Sequence, residues 1–380
     1  MSATLPSPIL RRAEEIRHDL HAHPELRFEE HRTAGVIRGE LERLGISWEE
    51  CTDTGTVGRL AASASGPHVA FRADIDALPV EERTGLPYAS RNVGRMHVCG
   101  HDGHTASLLA TAAWLKQNEA QLPGPVTLIF QPGEEGGHGA RAMIEAGVLR
   151  GVDSVYGYHS WPAIPRGRVA CVDGTVMAAN GHFVARAVGR GGHASQPELC
   201  IDPILTLSQF VAQLQQVVSR GVAPQSAAVV TVGTFQAGTA HNIIPDSAEC
   251  TGTVRAPTAP ERDAIAQRCE TVLRGVCLAA GARADWTWQP DYPATINHAQ
   301  CAARARAALR RILGEDCLWE RDLPIMAAED FSYYGELVPS CYLLIGSGGE
   351  HPCHSSRFDF DDALLPVAVR LWSELAGVSV

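Results

Sequence analysis

The first half of the chain alternates between strand-like and helix-like segments, and this alternation constrains the fold most. Residues 8–24 and 30–45 carry spaced Ile, Leu and Val between polar residues, a pattern typical of helices. Short apolar runs predict buried strands at residues 68–72, 126–130 and 154–158. A segment with apolar residues at helical spacing, 105–117, separates the first two strands. The order predicts an α/β fold, with helices on both faces of a mixed sheet.

The pattern changes near residue 178 and returns after residue 290. The intervening segments read strand, helix, strand, strand, helix: residues 181–189, 203–219, 227–235, 248–255 and 259–280. This order is typical of a ferredoxin-like unit. A helix at 299–313, a strand at 342–345 and a helix at 362–375 follow. We therefore predict a discontinuous catalytic domain of residues 1–178 and 291–380, interrupted by an inserted α+β domain at 179–290.

Composition narrows the class of partner. The 32 Lys and Arg against 43 Asp and Glu give a formal charge of −11, which argues against nucleic acid or an anionic membrane as the main partner. The first residues lack the apolar core of a signal peptide, and no run reaches the ~18–20 apolar residues of a membrane span. Eleven cysteines show no paired framework. A cytoplasmic protein with reduced thiols is the expectation.

Potential metal ligands follow the predicted strands, at the point where each strand ends. These side chains are Asp74, Asp76, Glu134, Glu135, His159 and His354. In open α/β sheets the binding crevice lies at the carboxyl ends of the strands, so we expect these groups to converge there. This regularity is stronger support for a site than any single residue.

Cys99 and His101 lie two residues apart, which is the shortest spacing for two ligands from one turn. Together with Glu135, His159 and His354 they make five candidates, more than one closed tetrahedral site needs. Two ions that share a bridging thiolate, about 3.5–4 Å apart, fit better. Thiolate, imidazole and carboxylate suit Zn²⁺ or Mn²⁺, and also Co²⁺ or Ni²⁺.

Glu134 and Glu135 are adjacent, so both cannot point at the same ion from an extended segment. One carboxylate is expected to bind metal, while the other faces the water as a general base and passes the proton to the leaving amine. We assign Glu135 to the metal and Glu134 to proton transfer.

Seven motifs, in order along the whole chain, resemble the M20 metallopeptidase family. Within it they are similar to the amidohydrolase branch, which contains hippurate hydrolases and N-acyl-amino-acid amidohydrolases. The motifs are FRADIDALPVEE (71–82), MHVCGHDGHT (96–105), FQPGEEGGHGA (130–140), GRGGHASQPE (189–198), HNIIPDSAECTGTVR (241–255), AAEDFSYY (327–334) and HSSRFDFDD (354–362). The resemblance implies a binuclear metal-dependent amidohydrolase that splits an N-acyl amino acid into a carboxylic acid and an amino acid.

Carried over by position, the resemblance implies specific roles. The implied metal ligands are Cys99, His101, Glu135, His159 and His354, and the implied base is Glu134. Spacing alone leaves His351 and His354 as alternatives, and the motif favours His354. The inserted domain is implied to be a lid that also forms a homodimer, with His193 and Asn242 facing the substrate. Gly133 and Val98 stand where the family often has Ala.

Other polar residues have weaker assignments. His193 is expected to donate a hydrogen bond to the oxyanion. Arg255 fits equally a contact with the substrate's carboxylate or a structural salt bridge. Asp76 is expected to orient a ligating imidazole. The His21-x-His23 pair and His104 read as structural groups.

Three alternatives to this function stay open. A small dipeptide could be hydrolysed at the same site. Cys99 could act as a nucleophile with His101 as its base, although neighbouring turn positions suit this poorly. A non-enzymatic homologue that binds small carboxylates is the third. The acyl group, the amino acid, the physiological metal and the subunit in which Asn242 acts are not indicated by the sequence.

Overall fold

The structure, a computed structural model, describes residues 5–380, and the chain divides into two compact units. The larger unit contains the chain up to Val176, Ile296–Arg321 and Asp330–Val380, and the smaller contains Met177–Thr295 and Asp322–Glu329. Residues 322–329 belong to the smaller unit, although the sequence-based division put them in the catalytic domain. The functional roles given to the two domains stay predictions.

Ten helices are labelled in chain order. They are α1 (Ser7–Ala22), α2 (His31–Leu44), α3 (His101–Gln117), α4 (Glu134–Gly137), α5 (Gly139–Glu145), α6 (Pro203–Ser219), α7 (Ala259–Ala280), α8 (Ala299–Leu313), α9 (Ser332–Gly335) and α10 (Leu365–Ala376). The strands of the larger unit and its boundary are β1 (Ser47–Glu50), β2 (Thr56–Leu60), β3 (Val69–Asp74), β4 (Val126–Gln131), β5 (Ser154–Trp161), β6 (Val169–Ala170) and β7 (Gly174–Met177). The later strands are β8 (Ala179–Val188), β9 (Gly192–His193), β10 (Val229–Ala237), β11 (Ile243–Ile244), β12 (Ser247–Ala256), β13 (Arg283–Pro290), β14 (Thr295–Asn297) and β15 (Ser340–Gly346).

The larger unit is built on a seven-stranded sheet of order β1-β2-β4-β3-β5-β15-β6. The central strands β4, β3, β5 and β15 run parallel, and β1, β2 and β6 pair antiparallel at the edges. Every residue of β3, β4 and β15 is buried, as expected for parallel strands covered on both faces. The predicted α/β class with a mixed sheet is confirmed.

Helix α3 lies in the core of this unit, buried from His101 to Leu115, and packs against α1 and α10. The sequence predicted its start at residue 105, but it begins at His101. Gly100 adopts a φ of 88°, which favours glycine, and turns the chain directly into the helix. The first turn was not predicted as helix, because its residues are polar and break the apolar spacing. Their side chains are nevertheless buried, with polar partners.

The smaller unit contains a four-stranded antiparallel sheet of order β10-β12-β8-β13, with α6 and α7 packed against it. Along the chain the elements run β8, α6, β10, β12, α7, β13, which is the predicted ferredoxin-like order. Both helices begin at side-chain caps, from Asp202 and Thr258. Each helix within residues 5–380 is too short or too polar to span a lipid bilayer.

Candidate metal centre

The candidate ligands of the larger unit come from four separate segments. Cys99 and His101 flank Gly100 at the start of α3, Glu135 follows β4, and His159 lies near the end of β5. His354 follows β15 and has a φ of 68°, an uncommon conformation for a residue with a side chain. The parallel order of β4, β3, β5 and β15 brings the carboxyl ends of these strands to one edge of the sheet.

Two groups of possible ligands share one thiol. The ligand atoms of Cys99, His101 and His159 lie within 4.8 Å of one another, and those of Cys99, Glu135 and His354 do the same. The Cys99 Sγ is 3.2 Å from His159 Nε2 and 3.4 Å from His354 Nε2. His354 Nε2 is 3.3 Å from Glu135 Oε1. The structure thus brings all five predicted ligands together, with Cys99 between two sets of three.

The imidazoles are oriented as metal ligands usually are. His101 Nδ1 contacts the backbone oxygen of Asp76 at 2.9 Å and its Oδ1 at 3.1 Å, and His159 Nδ1 contacts the Ser160 oxygen at 2.7 Å. A proton on Nδ1 leaves Nε2 with a free lone pair. His101 Nε2 is buried without a hydrogen-bond partner within residues 5–380, and the buried Glu135 Oε1 lies 3.3 Å from His354 Nε2. These two atoms are placed to bind a cation.

The electrostatics favour a cation as well. A hydrogen bond with Cys353, then burial and the charge of Glu135, raise the pKa of the Cys99 thiol well above its usual value. A divalent ion would reverse this, because a coordinated thiol is deprotonated. Burial lowers the pKa of His101, but the charges of Asp74 and Asp76 outweigh it and raise that pKa to about 10. The residue set therefore fits a divalent metal.

A nucleophilic role for Cys99 with His101 as its base leaves the other contacts of the thiol unexplained. Cys99 Sγ lies 3.2 Å from His159 Nε2 and 3.4 Å from His354 Nε2, whereas a nucleophile needs one base. The Asp76 contact at His101 Nδ1 leaves Nε2 available in either role.

Asp76 holds two parts of the site at once. Its Oδ1 lies next to His101 Nδ1, and its Oδ2 accepts a hydrogen bond from the Glu135 N–H at 2.9 Å. Asp74 lies beside the same imidazole, with its Oδ2 3.6 Å from His101 Nε2, and it also accepts from Arg72 Nη1 at 2.6 Å and contacts His104 Nδ1 at 2.7 Å. Burial raises the pKa of Asp74, but His101, Arg72 and His104 outweigh this effect and hold it well below its usual value.

Glu134 is buried, and its carboxylate lies within 4.8 Å of ligand atoms of His101 and Glu135. Its Oε1 is 3.4 Å from the backbone N–H of Asp330. Asp330 in turn accepts hydrogen bonds from Gln131 Nε2 at 2.8 Å and from the Ala140 N–H at 2.9 Å. Asp330 belongs to the motif AAEDFSYY, and no role was predicted for it.

The segment 132–138, here called the Glu134 loop, is fixed from a distant part of the chain. The Gly133 N–H donates to Glu30 Oε1 at 2.9 Å, and Arg27 Nη1 donates to the Glu135 oxygen at 2.7 Å. A Cβ added at Gly133, where φ is 62°, would lie 2.7 Å from the Phe28 ring. No pattern in the sequence identified Glu30 or Phe28 as supports of the site.

The remaining histidines have separate surroundings. His351 lines a cavity of about 140 Å³ with Arg83 and Arg357, away from the contacts of Cys99 described above. His21 Nδ1 contacts Asp102 Oδ2 at 2.8 Å, whereas His23 Nδ1 contacts the backbone oxygen of Asp19. The two members of the His21-x-His23 pair thus have different partners.

The predicted substrate-facing residues lie in the smaller unit. His193 on β9 pairs with Ile243 on β11, and the Ala194 N–H donates to the Asn242 oxygen at 3.1 Å, so His193 and Asn242 are neighbours. Arg255 Nη1 donates to the Met326 oxygen at 2.9 Å, and burial lowers its pKa. This contact is a hydrogen bond to a backbone oxygen and not the predicted salt bridge, so the role of Arg255 stays a prediction.

Comparison with known proteins identifies the family of this chain. Residues 70–377 match the sequence profile of Peptidase family M20/M25/M40. The chain is 40% identical to the N-acetylcysteine deacetylase of Bacillus subtilis over 96% of this chain and 95% of that protein. It is 37% identical to the hippurate hydrolase of Campylobacter jejuni, over 96% and 95%. A solved Bacillus subtilis structure, described as a dinuclear metal-binding peptidase from the M20 family, superposes with a TM-score of 0.86 and 37% identity over 98% of both chains.

Proposed function

Because this chain belongs to peptidase family M20/M25/M40, we propose that it is a metal-dependent amidohydrolase of N-acyl amino acids. The products are a carboxylic acid and a free amino acid. The observation that carries the proposal is the meeting of four ligand-type side chains around the thiol of Cys99. Relatives named N-acetylcysteine deacetylase and hippurate hydrolase, which match nearly the whole chain, support the choice of substrate class.

Two divalent ions fit the two groups of ligands. Cys99, His101 and His159 would hold one ion, while Cys99, Glu135 and His354 would hold the other, with the thiolate shared between them. When bound, such a pair supplies an activated water and positive charge for the carbonyl oxygen that becomes negative. Zn²⁺ or Mn²⁺ suits the mixed ligand set, and Co²⁺ or Ni²⁺ also fits it.

Glu134 is assigned the proton transfer. Its carboxylate accepts a proton from the attacking water and delivers it to the amide nitrogen, so that the amino acid leaves as a neutral amine. The Asp330 N–H lies beside Oε1 and fixes the direction of this carboxylate. Asp76 keeps the His101 proton on Nδ1, which leaves Nε2 available for the metal.

The roles of the smaller unit rest on its motifs. We assign His193 to a hydrogen bond with the carbonyl oxygen, and Asn242 and Arg255 to contacts with the substrate. One Arg255 nitrogen is engaged by Met326, and a guanidinium has five N–H donors, so others can serve a carboxylate. The resemblance also supports a lid function for this unit and a homodimer formed through it, and eleven cysteines without a paired framework support a cytoplasmic location.

Metal titration of chelator-stripped protein tests the proposal. Zn²⁺, Mn²⁺, Co²⁺ and Ni²⁺ are added while hydrolysis of hippurate, N-acetyl amino acids and indole-acetyl amino acids is followed, and bound metal is counted. We expect activity to return at two ions per chain. Two bound ions without turnover on the whole panel would contradict the substrate class, and absence of metal uptake would contradict the site.

Glu134→Gln separates binding from chemistry. We expect the variant to bind two ions as the wild type does and to lose about 10²–10⁴-fold in kcat, because a positioned general base contributes that much. The matched control is Glu145→Gln, an exposed glutamate of the same unit, which is expected to keep wild-type turnover. A fully active Glu134→Gln protein would contradict the assignment of the base.

A further inference from the structure

A buried arginine on β3, Arg72, is held by three partners. Its Nη1 donates to Asp74 Oδ2 at 2.6 Å, and its Nη2 donates to Asp330 Oδ1 at 3.0 Å. Its Nε donates to Gln131 Oε1 at 2.8 Å. Arg72 and Asp74 are two residues apart on one strand and so share a face of the sheet, and Gln131 is the register partner of Asp74 on β4. The strand geometry therefore fixes where this guanidinium lies.

Stability of the fold does not account for this buried cluster of charges. Arg72, Asp74 and Asp330 are all buried. The desolvation of such charges offsets most of their attraction, and well-packed apolar residues in their place often stabilise a fold as well or better. The cluster does fix a geometry, because a guanidinium directs its donors along set directions toward planar carboxylates.

The two carboxylates of the cluster lie beside different parts of the candidate site. Asp74 Oδ2 is 3.6 Å from Nε2 of His101, a candidate metal ligand. The Asp330 N–H is 3.4 Å from Oε1 of Glu134, the assigned base. Arg72 thus joins a group beside a metal ligand to a group beside the base, and the second of these lies 258 residues away in the sequence.

The Asp330 carboxylate is held from three directions. It accepts hydrogen bonds from Arg72 Nη2, from Gln131 Nε2 at 2.8 and 3.0 Å, and from the Ala140 N–H at 2.9 Å. Because only the Cβ separates this carboxylate from the Cα, these bonds also set the place of the Asp330 backbone. The N–H that lies beside Glu134 is therefore placed by the same contacts.

We propose that Arg72 is a positioning residue for the proton-transfer step: through Asp330 it fixes the Glu134 carboxylate relative to the metal centre. The inference rests on the proposed function and adds to it a residue that acts only through its neighbours. A general base is effective when its carboxylate is within hydrogen-bond reach of the proton that it accepts. A misplacement of about 1 Å costs about 100-fold in rate, so the loss of a distant support is measurable in turnover.

Two substitutions perturb the contact between Arg72 and Asp330 from opposite sides. Arg72→Lys keeps the charge, but a single ammonium nitrogen cannot replace donors that reach three partners from separate nitrogens. In Asp330→Asn the amide presents one acceptor oxygen where the carboxylate presents two. Either Arg72 Nη2 or the Ala140 N–H then loses its acceptor. Urea unfolding checks that each variant is folded, and either variant alone is sufficient for the test.

The test is a double-mutant cycle with Glu134→Gln, in which kcat and KM are measured at saturating metal. On the wild-type background we expect each variant to lower kcat about 10–100-fold with KM unchanged, the usual effect of removing an outer partner in a metal site. On the Glu134→Gln background the base is already absent, so we expect no further loss beyond about twofold. A general role in stability would instead lower kcat by the same factor on both backgrounds, because independent effects add in free energy.

The matched control is Arg17→Lys. Arg17 is likewise a buried arginine of the larger unit, with Nη1 2.8 Å from Asp359 Oδ1 and Nε 2.9 Å from Asp362 Oδ1. These partners belong to the segment after β15 and not to the cluster around Arg72. Whatever factor Arg17→Lys imposes on kcat, we expect the same factor with and without Glu134→Gln.

Metal affinity, measured by competition with a chelator, gives a readout apart from turnover. Asp330→Asn should bind the ions with wild-type affinity, because Asp330 acts on the base. A loss of affinity that parallels the loss of kcat would mean a general structural role and would overturn the proposal. Equal losses of kcat on both backgrounds, or wild-type kcat in the folded variants, would overturn it as well and leave the proposed function intact. A wild type without turnover on any N-acyl amino acid would overturn the function itself, and this inference with it.

Discussion

Replacement of Glu30 by glutamine is expected to stabilise the protein above pH 7. Glu30 is fully buried, and its Oε2 accepts a hydrogen bond from Thr54 Oγ1 at 2.7 Å while Oε1 accepts from the Gly133 N–H at 2.9 Å. Burial, and after it the negative charge of Asp76, raise the pKa of Glu30 from 4.5 to about 7, although the bond from Thr54 acts in the opposite direction. A charged Glu30 is therefore costly in the folded state.

The direction and the size of this stability change follow from the pKa of Glu30 in the unfolded chain and in the folded protein. The unfolded chain releases this proton near pH 4.5, whereas the folded protein keeps it until about pH 7. Between these values the native state binds more protons, so the free energy of unfolding falls as the pH rises. The interval from 4.5 to about 7, at ~1.4 kcal/mol for each pH unit, corresponds to about 3 kcal/mol. This loss of wild-type stability is absent below pH 4.5 and complete above pH 7.

Glutamine retains both contacts without the charge. Its amide oxygen can accept from the Gly133 N–H, and its NH₂ group can donate to Thr54 Oγ1. Urea unfolding is followed by tryptophan fluorescence at pH 5 and pH 8, with a chelator present so that metal binding does not contribute. The control is Glu29→Gln, the exposed neighbour. A stability difference between Glu30→Gln and wild type that is equal at both pH values would refute the reasoning.

Two further substitutions test the supports of the site. Gly133→Ala places a side chain at a φ of 62° and 2.7 Å from the Phe28 ring, so we expect a loss of about 1–3 kcal/mol and reduced kcat. Thermal unfolding measures the loss of stability. The control is Gly35→Ala, where a Cβ meets nothing within 4 Å, and equal stability of the two variants would contradict the predicted strain at Gly133. Asp76→Ala removes the hydrogen-bond partner of His101 Nδ1 and of the Glu135 N–H. We therefore expect about 10–100-fold weaker metal binding, measured by competition with a chelator. Unchanged metal affinity would contradict the role of Asp76.

Elements with local signals were predictable from the sequence. Helix α7 was predicted at residues 259–280, and the structure has it at Ala259–Ala280 because both ends are encoded locally. The Thr258 side chain accepts from the Glu261 N–H at the start, and Gly281 takes a φ of 71° at the end. The edge of the parallel sheet was predictable for a similar reason, since polar residues directly after short apolar runs mark where strands end.

Features that depend on distant segments were not predictable in this way. Asp330 contacts Arg72, 258 residues earlier, and nothing in either local pattern indicates this pairing. The choice between His351 and His354 is of the same kind, because both follow one strand within a few residues and only packing brings His354 to Cys99. Residues 322–329 join the smaller unit although no local pattern separates them from their neighbours.

Several unfavourable local features of the larger unit occur together at the Glu134 loop, and this placement has a physical explanation. Glu30 is a buried carboxylate with a raised pKa, Phe28 has a φ of 61°, and a Cβ at Gly133 would lie 2.7 Å from the Phe28 ring. Each costs stability, yet each contacts the segment that carries Glu134 and Glu135. The Glu134 carboxylate must have the correct orientation before the reaction begins. Because folding fixes that orientation, the free-energy cost of ordering it lowers the stability of the fold and does not add to the activation barrier. Strain concentrated at this loop is what a preorganised site requires.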